Sequence, residues 1–179
     1  MIVVEDASRI AEYESVSIGF EVSCRLRLDD LFNTTPVEPW WKDYDDCAPD
    51  RPTNLFQTFD TTHWGILAAF DNDVRLGGAI IAARTPEYAL LGNRDDLAAL
   101  IDIRVAPEAR GQGVGRALFE AVVAWVRTQG YKELWVETQD TNVPACRFYK
   151  AMGLSLHSID EGAYGPEIDE ARLIWSLRI

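Results

Sequence analysis

With 179 residues, 47% of them apolar and 26% charged, the chain has the makeup of one globular domain with a sizeable core, which excludes a disordered or fibrous chain. A formal net charge of −12 argues against phosphate-backbone binding, which rests on clustered Lys and Arg, so no nucleic-acid partner is expected. It is also compatible with attraction of small cations, although an acidic surface serves solubility equally well.

No stretch approaches the ~20 apolar residues of a membrane helix, and residues 1–6 turn acidic without a signal-peptide pattern. No membrane partner and a cytoplasmic location are expected. Cys24, Cys47 and Cys146 form no CxxC pair, and His63 and His157 are the only histidines. That argues for a reduced compartment and no metal. The oligomeric state, a homodimer included, stays open.

Residues 16–28 alternate strictly, with Val16, Ile18, Phe20, Val22, Cys24, Leu26 and Leu28 on one side, and the period of two predicts a half-buried strand. Residues 29–62 hold Pro36, Pro39, Pro49 and Pro52 without a sustained period. They predict a long loop region with one or two short helical turns. An apolar run over 64–70, a turn at Asp71-Asn72-Asp73 and a second run over 74–84 predict a hairpin. Gly77-Gly78 inside it marks a bulge or a close backbone approach. A polar connection over 85–96 leads to a strand at Leu97–Val105.

Residues 114–129 place Val114, Ala117, Leu118, Ala121, Val122 and Trp125 on one helical face, with Gly130 as the cap. A short strand follows at 134–138. Asn142 then suits an N-cap, Pro144 is tolerated in the first turn, and Gly153 ends the next helix. The last strands fall at 154–158 and 171–177. With no repeat and no linker, residues 1–179 are expected to form one α/β domain with a mixed sheet.

Arg110, Gly111, Gln112, Gly113, Val114, Gly115 and Arg116 lie between a strand and an amphipathic helix. Glycines let the backbone approach a ligand, and first-turn N–H groups with the helix dipole behind them make an anion site suited to a pyrophosphate. Arg110 and Arg116 can add charge. There is neither a GxxxxGK[ST] nor a GxGxxG pattern here, which excludes a P-loop and a dinucleotide fingerprint. The competing reading gives the glycines only a tight turn to make.

The run Ile103-Arg104-Val105-Ala106-Pro107-Glu108-Ala109-Arg110-Gly111-Gln112-Gly113-Val114-Gly115 resembles the acyl-CoA motif of the GNAT acetyltransferases, Arg/Gln-x-x-Gly-x-Gly/Ala after a strand. Asn142-Val143-Pro144-Ala145-Cys146-Arg147-Phe148-Tyr149-Lys150-Ala151-Met152-Gly153-Leu154 resembles the second signature of that family. Glu137-Thr138-Gln139, with Asn142 to Cys146 and Ile159-Asp160, is similar to the streptothricin acetyltransferases. The pair of N-terminal helices usual in the family is not evident, and residues 29–62 depart most from its pattern.

The resemblance implies a GNAT-like α/β fold, a mixed, central twisted sheet flanked by helices, and acetyl-CoA as cosubstrate. The reaction implied is acetyl transfer to a primary amine, such as a small cationic antibiotic of the streptothricin class. A peptide or protein N-terminus or lysine is the alternative acceptor, and a non-catalytic acyl-CoA-binding module the alternative function. The main chain of Ile103, Arg104 and Val105 would hold the pantetheine arm, residues 110–116 the pyrophosphate, and Asn142 and Ala145 further parts of the cosubstrate.

By the same resemblance Tyr149 would protonate the leaving thiolate; the competing reading packs its ring beside Phe148. Glu137 would accept the ammonium proton, with Asp102 as the alternative base. Its competing readings are a structural carboxylate or one that binds the acceptor's positive charge. Asp43-Tyr44-Asp45-Asp46 could attract a cationic acceptor, or be a solvated loop.

Overall fold

The computed structural model describes the backbone of residues 1–179 and every side chain but that of Phe32. The chain divides into two compact units, one of Met1–Ile18, Asp43–Leu134 and Arg178–Ile179, the other of Gly19–Lys42 and Trp135–Leu177.

In the first unit β1 (Ile2–Glu5), β4 (Gly65–Asp71), β5 (Val74–Ala83) and β6 (Leu97–Val105) pair antiparallel in the order β1-β4-β5-β6. The β4–β5 hairpin and β6 follow the expected runs. Strand β1 is too short to display a period and was not anticipated. The glycine pair marks both a bulge and a close approach. Register shifts between Ala69 and Phe70, and a Cβ at Gly77 would stand 2.3 Å from the Arg104 carbonyl oxygen. One at Gly78 would stand 2.5 Å from the Tyr13 ring.

Neighbouring strand residues point to opposite faces, and this decides where the helices lie. Ile66 joins Ile80 and Tyr13 in a cluster with Ile10 of α1 (Ile10–Glu14) and Phe56 of α2 (Pro52–Thr58). A Cβ at Gly65, its neighbour, would instead meet the Trp125 ring of α3 (Val114–Thr128) at 2.6 Å. The short helices thus cover one face and α3 the other. The buried stripe of α3 is Leu118, Phe119, Val122 and Val126, while Ala117, expected inside, is exposed. The larger Phe119 and Val126 hide more apolar area than Ala117 could, so the helix turns them inward. Full burial contributes about 1.5–3 kcal/mol for each such side chain.

In the second unit β2 (Phe20–Arg27) and β3 (Asp30–Lys42) form a two-stranded antiparallel sheet. Two expectations are corrected here. The first strand starts at Phe20, not at residue 16, and residues 30–42, read as loop, are a 13-residue strand. Proline removes a ladder donor, so it fits only edges and bulges. Strand β3 has a partner on one side only, and register jumps from Trp40 opposite Val22 to Pro36 opposite Cys24. Pro39 falls inside that bulge. The remainder of 29–62 holds 3-10 turns at Tyr44–Asp46 and Ala48–Asp50 and then α2, close to the helical turns expected.

Strand β7 (Glu133–Gln139), β9 (Arg172–Arg178) and β8 (Ser155–Asp160) lie in the order β7-β9-β8, with α4 (Val143–Ala151) between β7 and β8 in the chain. The elements make the expected α/β fold with a central multi-stranded sheet flanked by helices. Among the described residues no helix is long and apolar enough to cross a membrane.

Candidate active site

The loop before α3 is built by its glycines. Gly111 (φ +74°) and Gly113 (φ +86°) are left-handed, where a Cβ is strained, and among the described residues beyond their chain neighbours nothing lies within 4 Å of where their Cβ atoms would be. Conformation, not crowding, requires glycine, and the space beside the loop is open. Gly113 is the N-cap of α3 and brings no side-chain cap, and the first-turn N–H groups of Val114, Gly115 and Arg116 have no partner in the helical ladder. That donor set suits an anion such as a pyrophosphate.

The loop's polar side chains have separate tasks. Arg110 donates from Nε to the Val105 carbonyl (2.9 Å) and from Nη2 to that of Ser17 (3.0 Å), tying loop to strand. Gln112 donates to the Glu108 carbonyl (2.7 Å). Arg116 is exposed on the first turn of α3.

Ile103 and Val105, half-buried on β6, stand opposite Ala79 and Gly77 of β5. Arg104 between them points away into a network that sequence reasoning missed. Its guanidinium is fully buried and donates to Asp102, to Asp45 (3.0 and 3.1 Å) and to the carbonyls of Glu14 (3.2 Å) and Val16 (3.0 Å). Only its main chain is left for a ligand. Asp102, the alternative base, also accepts from the Tyr13 hydroxyl. Burial, with the Asp102 charge adding to it, pushes the Tyr13 phenol well above its ordinary range. The acidic tract is largely consumed by structure, because Asp45 faces Arg104 and Asp43 caps the turn by accepting from the Asp45 N–H (3.0 Å).

The alternation of β7 sorts its residues. Leu134, Val136 and Thr138 are buried, while Trp135, Glu137 and Gln139 share the opposite, half-exposed face. Glu137 accepts a hydrogen bond from the Tyr164 hydroxyl (2.9 Å), which in turn accepts one from the Gln139 amide (2.7 Å).

After β7, the Asn142 side chain caps α4 by accepting from the Ala145 N–H (3.2 Å), as its sequence position predicts. The cap uses one donor of the first turn of α4. Tyr149 sits on the buried side of this helix with Val143 and Cys146, its ring edge-on to Phe148 at 5.3 Å. Cys146 touches Thr138, which accepts from the Trp175 indole (2.9 Å). Burial pushes the Cys146 thiol up to about 11.

The expected residues divide between the units: 103–105 and 110–116 lie in one, and Glu137, Asn142, Ala145 and Tyr149 in the other. Among the described residues no three His, Cys, Asp or Glu side chains stand where they could hold a metal ion.

A strand running into a glycine loop and an uncapped α3 makes an anion site in an α/β fold. Residues 27–154, well over half of the chain, match the model of the acetyltransferase (GNAT) family, and the chain belongs to that family. It is 38% identical to the streptothricin acetyltransferase of Streptomyces lavendulae over 63 residues, 35% of this chain and 33% of that protein. It is 33% identical to the ribosomal protein bS18 alanine N-acetyltransferase of Escherichia coli strain K12 over 69 residues, 38% of this chain and 47% of that protein. The matches thus span a third to a half of these relatives. In fold it is similar to a Bacillus anthracis str. Ames protein solved in complex with acetyl coenzyme A, at 22% identity and a TM-score of 0.80, covering 100% of this chain and 98% of that one.

Proposed function

We propose that this chain transfers the acetyl group of acetyl-CoA to a primary amine, and that its acceptor is a small cationic amine of the streptothricin class. The observation that carries the reading is the uncapped N-terminus of α3 behind two left-handed glycines, in a chain of the GNAT family.

Acetyl-CoA brings an acyl group activated as a thioester. The residues of the chain have four tasks. The N–H groups of residues 114–116, with Arg116, hold the pyrophosphate, and the main chain of Ile103 and Val105 holds the pantetheine arm. Glu137 takes the proton that makes the amine nucleophilic. The Tyr149 phenol delivers a proton to the departing sulfur. A C–N bond forms and a C–S bond breaks; of the two protons the ammonium nitrogen loses, one ends on the thiol and the other leaves through Glu137 to solvent.

Asp102 is the weaker candidate for base, because Arg104 and Tyr13 already occupy its oxygens. Glu137 has one oxygen, Oε1, engaged by Tyr164. A peptide N-terminus is the second reading of the acceptor, and the likeness to the bS18 alanine N-acetyltransferase supports it. The tyrosine at position 149 counts against a binding module without turnover.

Thiol release from acetyl-CoA, measured across streptothricin, simple polyamines and a peptide beginning with alanine, tests these readings. Turnover with streptothricin or a polyamine is expected. Turnover with the peptide alone would transfer the assignment to the second reading, and tight binding without turnover would sink the enzymatic one.

A further inference from the structure

We propose that Tyr164 is a positioning residue for acetyl transfer: it holds the Glu137 carboxylate in one orientation through a hydrogen bond whose direction Gln139 dictates. The inference rests on Glu137 being the proton acceptor proposed above.

The direction follows from counting protons. A phenol has one proton to give and lone pairs to accept with. The Gln139 Nε2 amide donates to the Tyr164 oxygen at 2.7 Å, so the phenol proton is left to point at Glu137 Oε1, 2.9 Å away. The strand makes this geometry available. Glu137 and Gln139 are two residues apart on β7, hence on one face, at a spacing that a single hydroxyl can bridge.

The tyrosine comes from the segment between β8 and β9, and that segment is strapped down beyond it. Asp169 accepts from Arg25 of β2 with its side chain (2.9 Å) and its carbonyl (3.0 Å). Glu170 pairs with Lys42 of β3 and accepts from the Thr141 hydroxyl (2.6 Å). The Ala171 N–H donates to Asp140 (3.0 Å), a buried carboxylate that Arg25 also holds. Tyr164 is thus delivered by a segment fixed at its C-terminal end on β2, β3 and the β7–α4 turn.

The consequence concerns a flexible side chain. A glutamate has several rotamers of similar energy, and a base acts only from the one within reach of its proton. A charge-assisted bond to Oε1 selects one rotamer and leaves Oε2 for the ammonium group or a water on it. Tyr164 itself needs to touch neither substrate.

Steady-state kinetics on Tyr164→Phe, Glu137→Ala and the double variant test this. The acceptor is streptothricin, or whichever amine of the panel releases thiol fastest. Tyr164→Phe is expected to lower kcat about tenfold, with KM for acetyl-CoA and the melting temperature unchanged. Added to Glu137→Ala, it should lower the residual rate less than twofold, because nothing is left to position. Gln139→Met, which lets the phenol proton turn away, should lower kcat in the same direction by a smaller factor.

If Glu137→Ala turns over at the parent rate, the assignment of the base is wrong and this inference falls with it. If Glu137→Ala is slow while Tyr164→Phe runs at the parent rate, the base stands and the positioning role alone is overturned. An equal loss from Tyr164→Phe in both backgrounds would also overturn it, since the hydroxyl would then act by a route that bypasses Glu137. A lowered melting temperature with parent kcat would reduce Tyr164 to a packing residue.

Discussion

Replacing Arg104 by Met keeps the buried stem and removes the charge, and the structure gives the size of the effect. The guanidinium side chain is fully buried, Asp102 beside it is 9% exposed and Asp45 21%. After the change two largely desolvated carboxylates and the carbonyls of Glu14 and Val16 lose their donor. Breaking a buried pair from one side costs about 3–5 kcal/mol, because the stranded charge is what destabilises. A loss of about 4 kcal/mol is expected, a large part of the ~5–15 kcal/mol that holds a native protein together. For a chain of this length it should lower Tm by about 8–16 °C. Urea unfolding followed by fluorescence and far-UV circular dichroism would measure it. Adding Asp45→Asn and Asp102→Asn should restore more than half of the loss, since neutral amides no longer need a cation. Arg27→Met breaks the exposed Arg27–Asp29 pair and serves as the control, with a midpoint close to the parent's. A loss below about 1 kcal/mol for Arg104→Met would refute the reasoning, because it would mean that water or another cation reaches the aspartates.

Gly113→Val forces a β-branched residue into a left-handed cap and puts a side chain into the open space beside the α3 N–H groups. Calorimetric titration should find acetyl-CoA binding at least about tenfold weaker, and unchanged affinity in a folded variant would remove the loop from the site. Tyr149→Phe should lower kcat by roughly a hundredfold with KM for acetyl-CoA nearly constant, the pattern of a lost general acid; lower stability with parent turnover would make it a packing residue instead. Cys146, with burial holding its thiol up at about 11, should stay neutral at pH 8 and resist iodoacetamide in the native protein. Mass spectrometry of the labelled protein should find exposed Cys47 modified first, and rapid native labelling of Cys146 would contradict its burial.

What the sequence determined by itself is the part written in local physics. Helix α3 shows in a 3.6-residue period, its left-handed cap in Gly113 and the start of α4 in Asn142, because helix bonds and caps close within a few residues. The β4–β5 hairpin is legible for the same reason, a turn between two runs. These local signals, with the two motifs at residues 103–115 and 142–154, make the family legible in the sequence.

What only the tertiary structure decided depends on partners distant in the chain. Strand β3 carries two prolines that local rules assign to a loop, and only pairing with β2 and the bulge around Pro39 make it a strand. The sequence assigns only the main chain of Arg104 a task, and its side chain has none until Asp45, 59 residues away in the chain, claims it. Tyr164 sits in a segment with no period to read, and its task appears only when β7 places Glu137 and Gln139 on one face beneath its hydroxyl. A buried charge or a carboxylate's orientation is set by whatever the fold carries to it, and sequence separation holds no record of that approach.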